Sequence, residues 1–300
     1  MHMTLSALRA VMAPLNLSAG ALSVVGAALD ARTGGAPLDD TVKPRVDELL
    51  DALGVREIID ALSPGELRAV LAESRMTLLH GARLPFSATR SQGWSFDDPA
   101  MLQAAGDTSA GFAMACKQMV VPRLAGLAAR MDAGGAFLDV GTGVGAFAIA
   151  MARQWPTLRV VGVDVWAPSL AMAREQIEAA GLSDRIEVRE QGGQEVPEND
   201  TFDLAWVPSL FIPPHALHAI EPRVLGALRP GGWVLLAMAN PGTDPVGAAF
   251  SRVRTVLWGG PVLAPSDAER MLTDAGFVGA MTLPSPPGSP AAMVAAQRAG

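Results

Sequence analysis

The chain has 300 residues at 31.1 kDa; half are hydrophobic, 18% are charged, and the mean hydropathy is +0.28. That composition excludes a disordered, low-complexity or collagen-like chain, and the length suits one large unit or a core with a smaller partner. Twenty-three basic against 30 acidic residues leave a net charge of −7, so there is no basic surplus with which to grip a phosphate backbone, and no nucleic-acid partner is expected.

The first 130 residues read as helical. Residues 10–29, between Arg9 and Asp30, carry no charge and are long enough on paper to span a bilayer. Pro14, Asn16, Ser18, Gly20, Ser23 and Gly26 interrupt the run, and no leucine-rich stretch follows Arg9 as it would in a signal peptide. The expectation is a buried or interface pair of helices, no membrane partner and a cytoplasmic location. Val46, Leu49, Leu50 and Leu53 recur at helical spacing and stop at Gly54. Ser63-Pro64-Gly65-Glu66 has the form of a capping box with proline at the first helical position. It opens a helix Leu67–Leu79 whose Leu67, Val70, Leu71 and Leu78 are expected to face a core. Residues 81–107 form a polar and aromatic linker containing Pro85, Gly93, Trp94, Phe96, Asp97, Asp98 and Pro99. An apolar helix is expected from about Ser109 to Met131, ending at Gly134-Gly135.

From residue 136 strands and helices alternate. Ala136–Val140 is an apolar strand, followed by Gly141-Thr142-Gly143-Val144-Gly145 and a helix to about Gln154. Arg159–Val163 is a second strand ending in Asp164, and a helix over 168–180 stops at Gly181. Ile186–Arg189, Phe202–Val207 and Trp233–Met238 continue the series, the last entered through Arg229-Pro230-Gly231-Gly232. Ser266–Glu269 reads as a second capping box, with its helix ending at Ala275-Gly276. Phe277–Leu283 and Ala291–Ala296 read as a hairpin around a Pro/Gly/Ser turn. The pattern predicts an α/β fold: a doubly wound, mostly parallel sheet with a C-terminal antiparallel hairpin, preceded by a smaller helical domain. The domains are expected at 1–130 and 131–300.

One cysteine, Cys116, excludes a disulfide framework, and its place among alanines and methionines marks it as core. The four histidines, His2, His80, His215 and His218, are scattered and lack carboxylate partners in sequence, so no metal is expected.

The chemistry gathers at the glycine loop. Glycines permit a tight turn and close approach of a ligand to backbone, and the helix that follows offers unpaired N–H groups. Asp164, at the end of the next strand, stands where a carboxylate takes ribose hydroxyls. Two ligand classes fit: Gly141-x-Gly143-x-x-Ala146 satisfies a loose dinucleotide pattern, whereas Asp139, two residues before the first glycine, suits a cationic amino-acid ligand better than a pyrophosphate.

With Asp139, Gly141, Gly143 and Gly145 in place and Asp164 after the second strand, the sequence resembles the class I S-adenosylmethionine-dependent methyltransferases. Phe202-Asp203-Leu204-Ala205-Trp206 is similar to their fourth strand, and Leu228-Arg229-Pro230-Gly231-Gly232 to the turn into their fifth. Leu272 through Ala275-Gly276-Phe277 resembles their last helix and the entry to the final hairpin. The resemblance covers about 136–298. It implies S-adenosylmethionine as cofactor and S-adenosylhomocysteine as product. It also implies a cofactor site of Asp139, Gly141, Gly143, Gly145, Asp164, Val165, Gln191, Gly192 and Val207. Gln191-Gly192 stands where such enzymes often carry an acid against the adenine amine, so this contact departs from the family pattern.

The implied activity is methyl transfer to a small-molecule acceptor, with the helical domain as lid or homodimer interface. The alternatives are a protein of the same fold that senses or regulates without methylating, and a nicotinamide oxidoreductase. His215, just past the fourth strand, is either a general base for a hydroxyl acceptor or a partly exposed helix-start residue. His80 stands as a second histidine able to face a cleft. Trp94 and Phe96 read as a substrate-stacking face or as an aromatic plug.

Overall fold

The computed structural model describes residues 5–85, 93–285, 289 and 291–300. His2, part of the linker and most of the Pro/Gly/Ser turn lie outside the described residues. The chain forms two compact units, residues 1–88 with 103–108 and residues 89–102 with 109–300.

The first unit is helical: α1 (Leu5–Arg32), α2 (Lys43–Ala52), α3 (Arg56–Ala61) and α4 (Pro64–Arg83). Its core is Ala28, Leu29, Val46, Leu50, Ile59, Leu67 and Leu71. The capping box forms at α4, where Ser63 Oγ accepts from the Glu66 N–H and Glu66 Oε2 accepts from the Ser63 N–H at 2.8 Å. Val70, expected in the core, is exposed.

The expected buried helix pair is instead one continuous helix, α1, of 28 residues with Pro14 inside it. Alanine-rich sequence with scattered small residues sustains a helix, and the hydroxyls of Ser18 and Ser23 donate to the carbonyls of Pro14 and Ala19 one turn back. Only its C-terminal part is buried; Leu5, Leu8, Val11, Met12, Leu15 and Leu17 are exposed. By length and composition α1 is able to cross a membrane.

The second unit is built on a seven-stranded sheet: β1 (Ala136–Val140), β2 (Arg159–Asp164), β3 (Ile186–Glu190), β4 (Phe202–Pro208), β5 (Leu228–Ala239), β6 (Val278–Leu283) and β7 (Ala291–Gln297). The strand order is β3-β2-β1-β4-β5-β7-β6; the first five are parallel, and β7 runs antiparallel to both β5 and β6. Side chains alternate between two cores, as a two-period strand requires. Phe137, Leu204 and Leu235 lie in one core; Leu138, Ala205 and Leu236 lie in the other.

The helix expected over 109–131 is broken into α5 (Pro99–Ala110), α6 (Phe112–Ala115), a π-turn over Cys116–Val120, a 3₁₀ turn over Val121–Arg123 and α7 (Leu127–Asp132). Pro122 withholds a backbone donor, and Gly126 takes φ 74°, a left-handed value that stops any helix. Ala113, Cys116, Val120, Val121, Leu124, Leu127 and Met131 are buried in the first of the two sheet cores. Residue 130 therefore falls inside the second unit. Cys116 is fully buried, and burial pushes its thiol up to about 12, consistent with a core residue.

The remaining helices are α8 (Ala146–Gln154), α9 (Ala167–Ala179), α10 (Pro214–Ala227), α11 (Pro245–Trp258) and α12 (Pro265–Asp274). The cap of α12 lies earlier than expected. Proline favours the first helical position, so Pro265 sets Ala264 as the cap, and Asp267 closes it by accepting from the Ala264 N–H at 3.3 Å. Glu269 is thereby released to accept from the N–H and hydroxyl of Thr282 on β6, at 2.8 and 2.6 Å.

Candidate active site

Strand order reverses between β1 and β4, and in an open parallel sheet ligands sit outside the C-terminal ends at such a switch. Those ends carry the residues singled out in the sequence. Asp139 and the glycine loop follow from β1, Asp164 and Val165 from β2, Gln191 and Gly192 from β3, and Val207 from β4.

The loop is shaped by three left-handed glycines, Gly141 (φ 67°), Gly143 (φ 56°) and Gly145 (φ 74°). Gly145 also has a packing reason to lack a side chain. A Cβ on Gly141 would lie 3.4 Å from Pro208, and one on Gly145 would lie 3.3 Å from the Ala173 Cβ on α9. A Cβ on Gly143 would meet no atom within 4 Å. Its backbone is open on that side.

Asp164 bridges the loop and the start of α9. Oδ2 accepts from the Gly143 N–H and Oδ1 from the Trp166 N–H, each at 2.8 Å. Burial raises its pKa, against the hydrogen bonds from Trp166, Gly143 and Val165. Asp139 is 1% exposed, and its Oδ2 accepts from the Thr142 hydroxyl at 2.8 Å. Burial pushes Asp139 up to about 7; the Thr142 hydrogen bond opposes that rise and the charge of Asp164 adds to it.

At the end of β3, Gly192 gives its N–H to Glu195 Oε2 at 2.8 Å, so that backbone donor is already used. Gln191 Nε2 is buried and makes no hydrogen bond among the described residues. Thr142 and Glu195 were not singled out in the sequence. The Thr142 signal lay within the loop itself, and the Glu195 signal was an acid three residues after a strand-end glycine. Val165 is 70% exposed, whereas Val207 is buried among the α10-side core residues.

Beyond β4 a 3₁₀ turn, Ser209–Phe211, is pinned by the Ser209 hydroxyl donating to the Ala237 carbonyl of β5 at 2.7 Å. Trp94 and Phe96 belong to this unit and join an aromatic group there. Trp94 lies edge-on to Phe96 at 4.8 Å and to Phe211 at 5.3 Å, and Phe211 stacks on Trp258 at 4.9 Å. The Trp166 indole donates to the Phe96 carbonyl at 2.7 Å. His215 is exposed on the first turn of α10, and His218, one turn on, is also exposed, 3.8 Å from Glu221. His80 is buried on α4 of the helical unit.

The raised pKa of Asp139 has a consequence for stability. The folded chain holds a proton there up to about 7, whereas the unfolded chain releases it near 3.8. Between those values the group's contribution falls as pH rises. Asp139→Asn is expected to match the wild type near pH 4 and to melt at least ~2 °C higher above pH 7, read from thermal unfolding across pH. Parallel melting curves for the two proteins at every pH would contradict this.

Residues 137–232 match the family described as "Methyltransferase domain". A probable fatty acid methyltransferase of Pseudomonas putida is 30% identical over 110 residues, which is 35% of this chain and 27% of that protein. This chain matches half or less of the length of the first curated relatives. Among solved structures, the S-adenosylmethionine-dependent methyltransferase SibL in its apo form shares 20% identity with a TM-score of 0.60, over 97% of this chain and 99% of that one. Human N-acetylserotonin methyltransferase, in complex with SAM, shares 14% identity with a TM-score of 0.59 over both full lengths. Residues 137–232 are thus similar to a methyltransferase domain, and the fold is the one these S-adenosylmethionine-dependent methyltransferases share.

Proposed function

We propose that this protein transfers the methyl group of S-adenosylmethionine to a small-molecule acceptor. The observation that supports the reading is an open left-handed Gly143 together with two carboxyl groups, buried Asp139 and half-buried Asp164, at one sheet edge. Carboxylates beside the loop repel a pyrophosphate and suit a ligand bearing a positive charge, which separates this cofactor from a nicotinamide dinucleotide.

The residues present fit that cofactor. The N–H groups of Gly141, Gly143 and Gly145 are held by Val163, Asp164 and Thr142, so the loop would offer carbonyls to the cofactor's ammonium, and Asp164 retains lone pairs for ribose hydroxyls. The orphaned Gln191 amide, beside Gly192, would supply a polar partner for the adenine edge and exposed Val165 an apolar surface, whereas Val207 is buried in the core behind them. When bound, the cofactor supplies a methyl group on a sulfonium, open to in-line displacement. The chain's own part is to align the acceptor and exclude water. The aromatic group of Trp94, Phe96, Phe211 and Trp258 supports an apolar, ring-bearing acceptor. For a hydroxyl acceptor, His215 is the base that takes the proton at its imidazole nitrogen.

The test is turnover. Incubation with S-adenosylmethionine and a panel of small ring-bearing hydroxyl and amine acceptors is expected to yield S-adenosylhomocysteine and a singly methylated product. His215→Ala is expected to lower turnover on a hydroxyl acceptor by ~10²–10⁴ without weakening cofactor binding. A loss under about tenfold with a flat pH profile would make His215 structural and leave alignment as the source of rate.

We also propose a homodimer closed by the exposed apolar half of α1, in keeping with a cytoplasmic protein. Light scattering is expected to give twice the chain mass, falling to the chain mass when Leu8, Val11 and Leu15 are replaced by lysine. A wild-type monomer at micromolar concentration would refute it.

A further inference from the structure

Asp139 is the more deeply buried of the two acids, and its only side-chain hydrogen bond among the described residues comes from Thr142. Thr142 is itself 6% exposed, and its backbone N–H is fixed to the Val163 carbonyl at 3.1 Å. Directly across the β1–β2 register from Asp139 stands Gly162. Gly162 is not left-handed, so backbone conformation does not explain its glycine. Space does. A Cβ there would lie 2.6 Å from the Thr142 hydroxyl oxygen, 2.8 Å from its Cβ and 3.0 Å from its Cγ2. The Thr142 side chain occupies the volume that Gly162 leaves empty, and from it the hydroxyl reaches Asp139.

We infer that Thr142 is a positioning residue of the cofactor site: seated over Gly162, its hydroxyl holds the Asp139 carboxylate in the orientation and charge state that a cationic amino-acid ligand requires. This rests on the cofactor reading above.

A hydroxyl donor stabilises the carboxylate over the carboxylic acid, while burial and the neighbouring charge of Asp164 push the other way. Asp164, at the end of β2, is the charged group acting on Asp139. Removing the donor leaves those two opposing effects alone, so Asp139 keeps its proton to higher pH. A cation-bearing ligand then binds a site that must first lose that proton. Valine has nearly the shape of threonine and the same β-branch, so Thr142→Val removes the hydroxyl while filling the space. Thr142→Ser keeps the hydroxyl, and Gly162→Ala displaces it from the opposite strand.

The experiment has two arms. In the ligand-free protein, thermal unfolding is followed from pH 4 to 9 for the wild type, Thr142→Val and Thr142→Ser. The pH range over which stability falls is expected to extend to higher pH in Thr142→Val and to stay at the wild-type position in Thr142→Ser. In the second arm, calorimetry with S-adenosylhomocysteine covers pH 6 to 9. Affinity is expected to rise with pH in the wild type. Thr142→Val and Gly162→Ala are expected to bind at least about tenfold more weakly at pH 7 and to recover toward pH 9, and Thr142→Ser to bind within about threefold of the wild type. If Thr142→Val matches the wild type in both arms, the positioning role is overturned. A wild type that binds no S-adenosylhomocysteine sinks the cofactor reading instead. The ligand-free arm then still decides whether Thr142 sets the charge state of Asp139.

Discussion

The site depends on one turn. Between Val140, at the end of a strand buried on both faces, and Ala146, at the start of a helix packed on that sheet, the chain reverses through three left-handed residues. Side chains other than glycine resist that conformation by about 1–2 kcal/mol each. Packing adds to this at Gly145, where a Cβ would press on Ala173 at 3.3 Å. Once the turn is set, the Gly143 N–H faces Asp164 and Thr142 is placed over Gly162, so the two carboxylates are fixed by the same five residues that fix the helix. Alternation along β1 then decides which face each neighbour enters, with Phe137 on one side and Leu138 on the other.

Much of the sheet was legible in the sequence because its signals are local and strong. Apolar runs bounded by glycine and acid residues located β1 to β4, and the left-handed Gly181 ended α9 as expected. The hairpin of β6 and β7 also stands where it was placed. What could not be read depended on competition between signals. Ser266 and Glu269 have the spacing of a capping box, yet Pro265 sets the cap two residues earlier, at Ala264, and Asp267 takes the role. In 109–131 the apolar periodicity reads as one helix, but Pro122 and Gly126 break its hydrogen-bond ladder while its apolar residues still reach the core. In α1 the polar and small interruptions, and even Pro14, sit inside one continuous helix.

The candidate site was legible in its residue types and less so in its partnerships. The three glycines were readable because the left-handed turn they make favours glycine, and Asp139 and Asp164 because they stand as acids at the ends of apolar strands. Nothing in spacing alone tells that the Thr142 hydroxyl turns back to Asp139, since that contact depends on a glycine twenty residues on, at the facing register position of β2. The link from Glu195 to Gly192 is likewise a product of the 3₁₀ turn after β3. The aromatic group past β4 joins residues far apart in sequence, Trp94 and Phe96 with Phe211 and Trp258, which periodicity cannot connect.

The electrostatic character of the loop distinguishes the two ligand classes that its glycine spacing leaves open. Once ionised, the Asp139 and Asp164 carboxylates raise the cost of bringing phosphates near and lower it for a cation-bearing adenosyl amino acid. The most direct test is calorimetric titration of the wild-type protein with S-adenosylhomocysteine and, in parallel, with NAD. A saturable single-site isotherm for S-adenosylhomocysteine and no heat of binding for NAD is the expected result. Binding of NAD with no response to S-adenosylhomocysteine would contradict it.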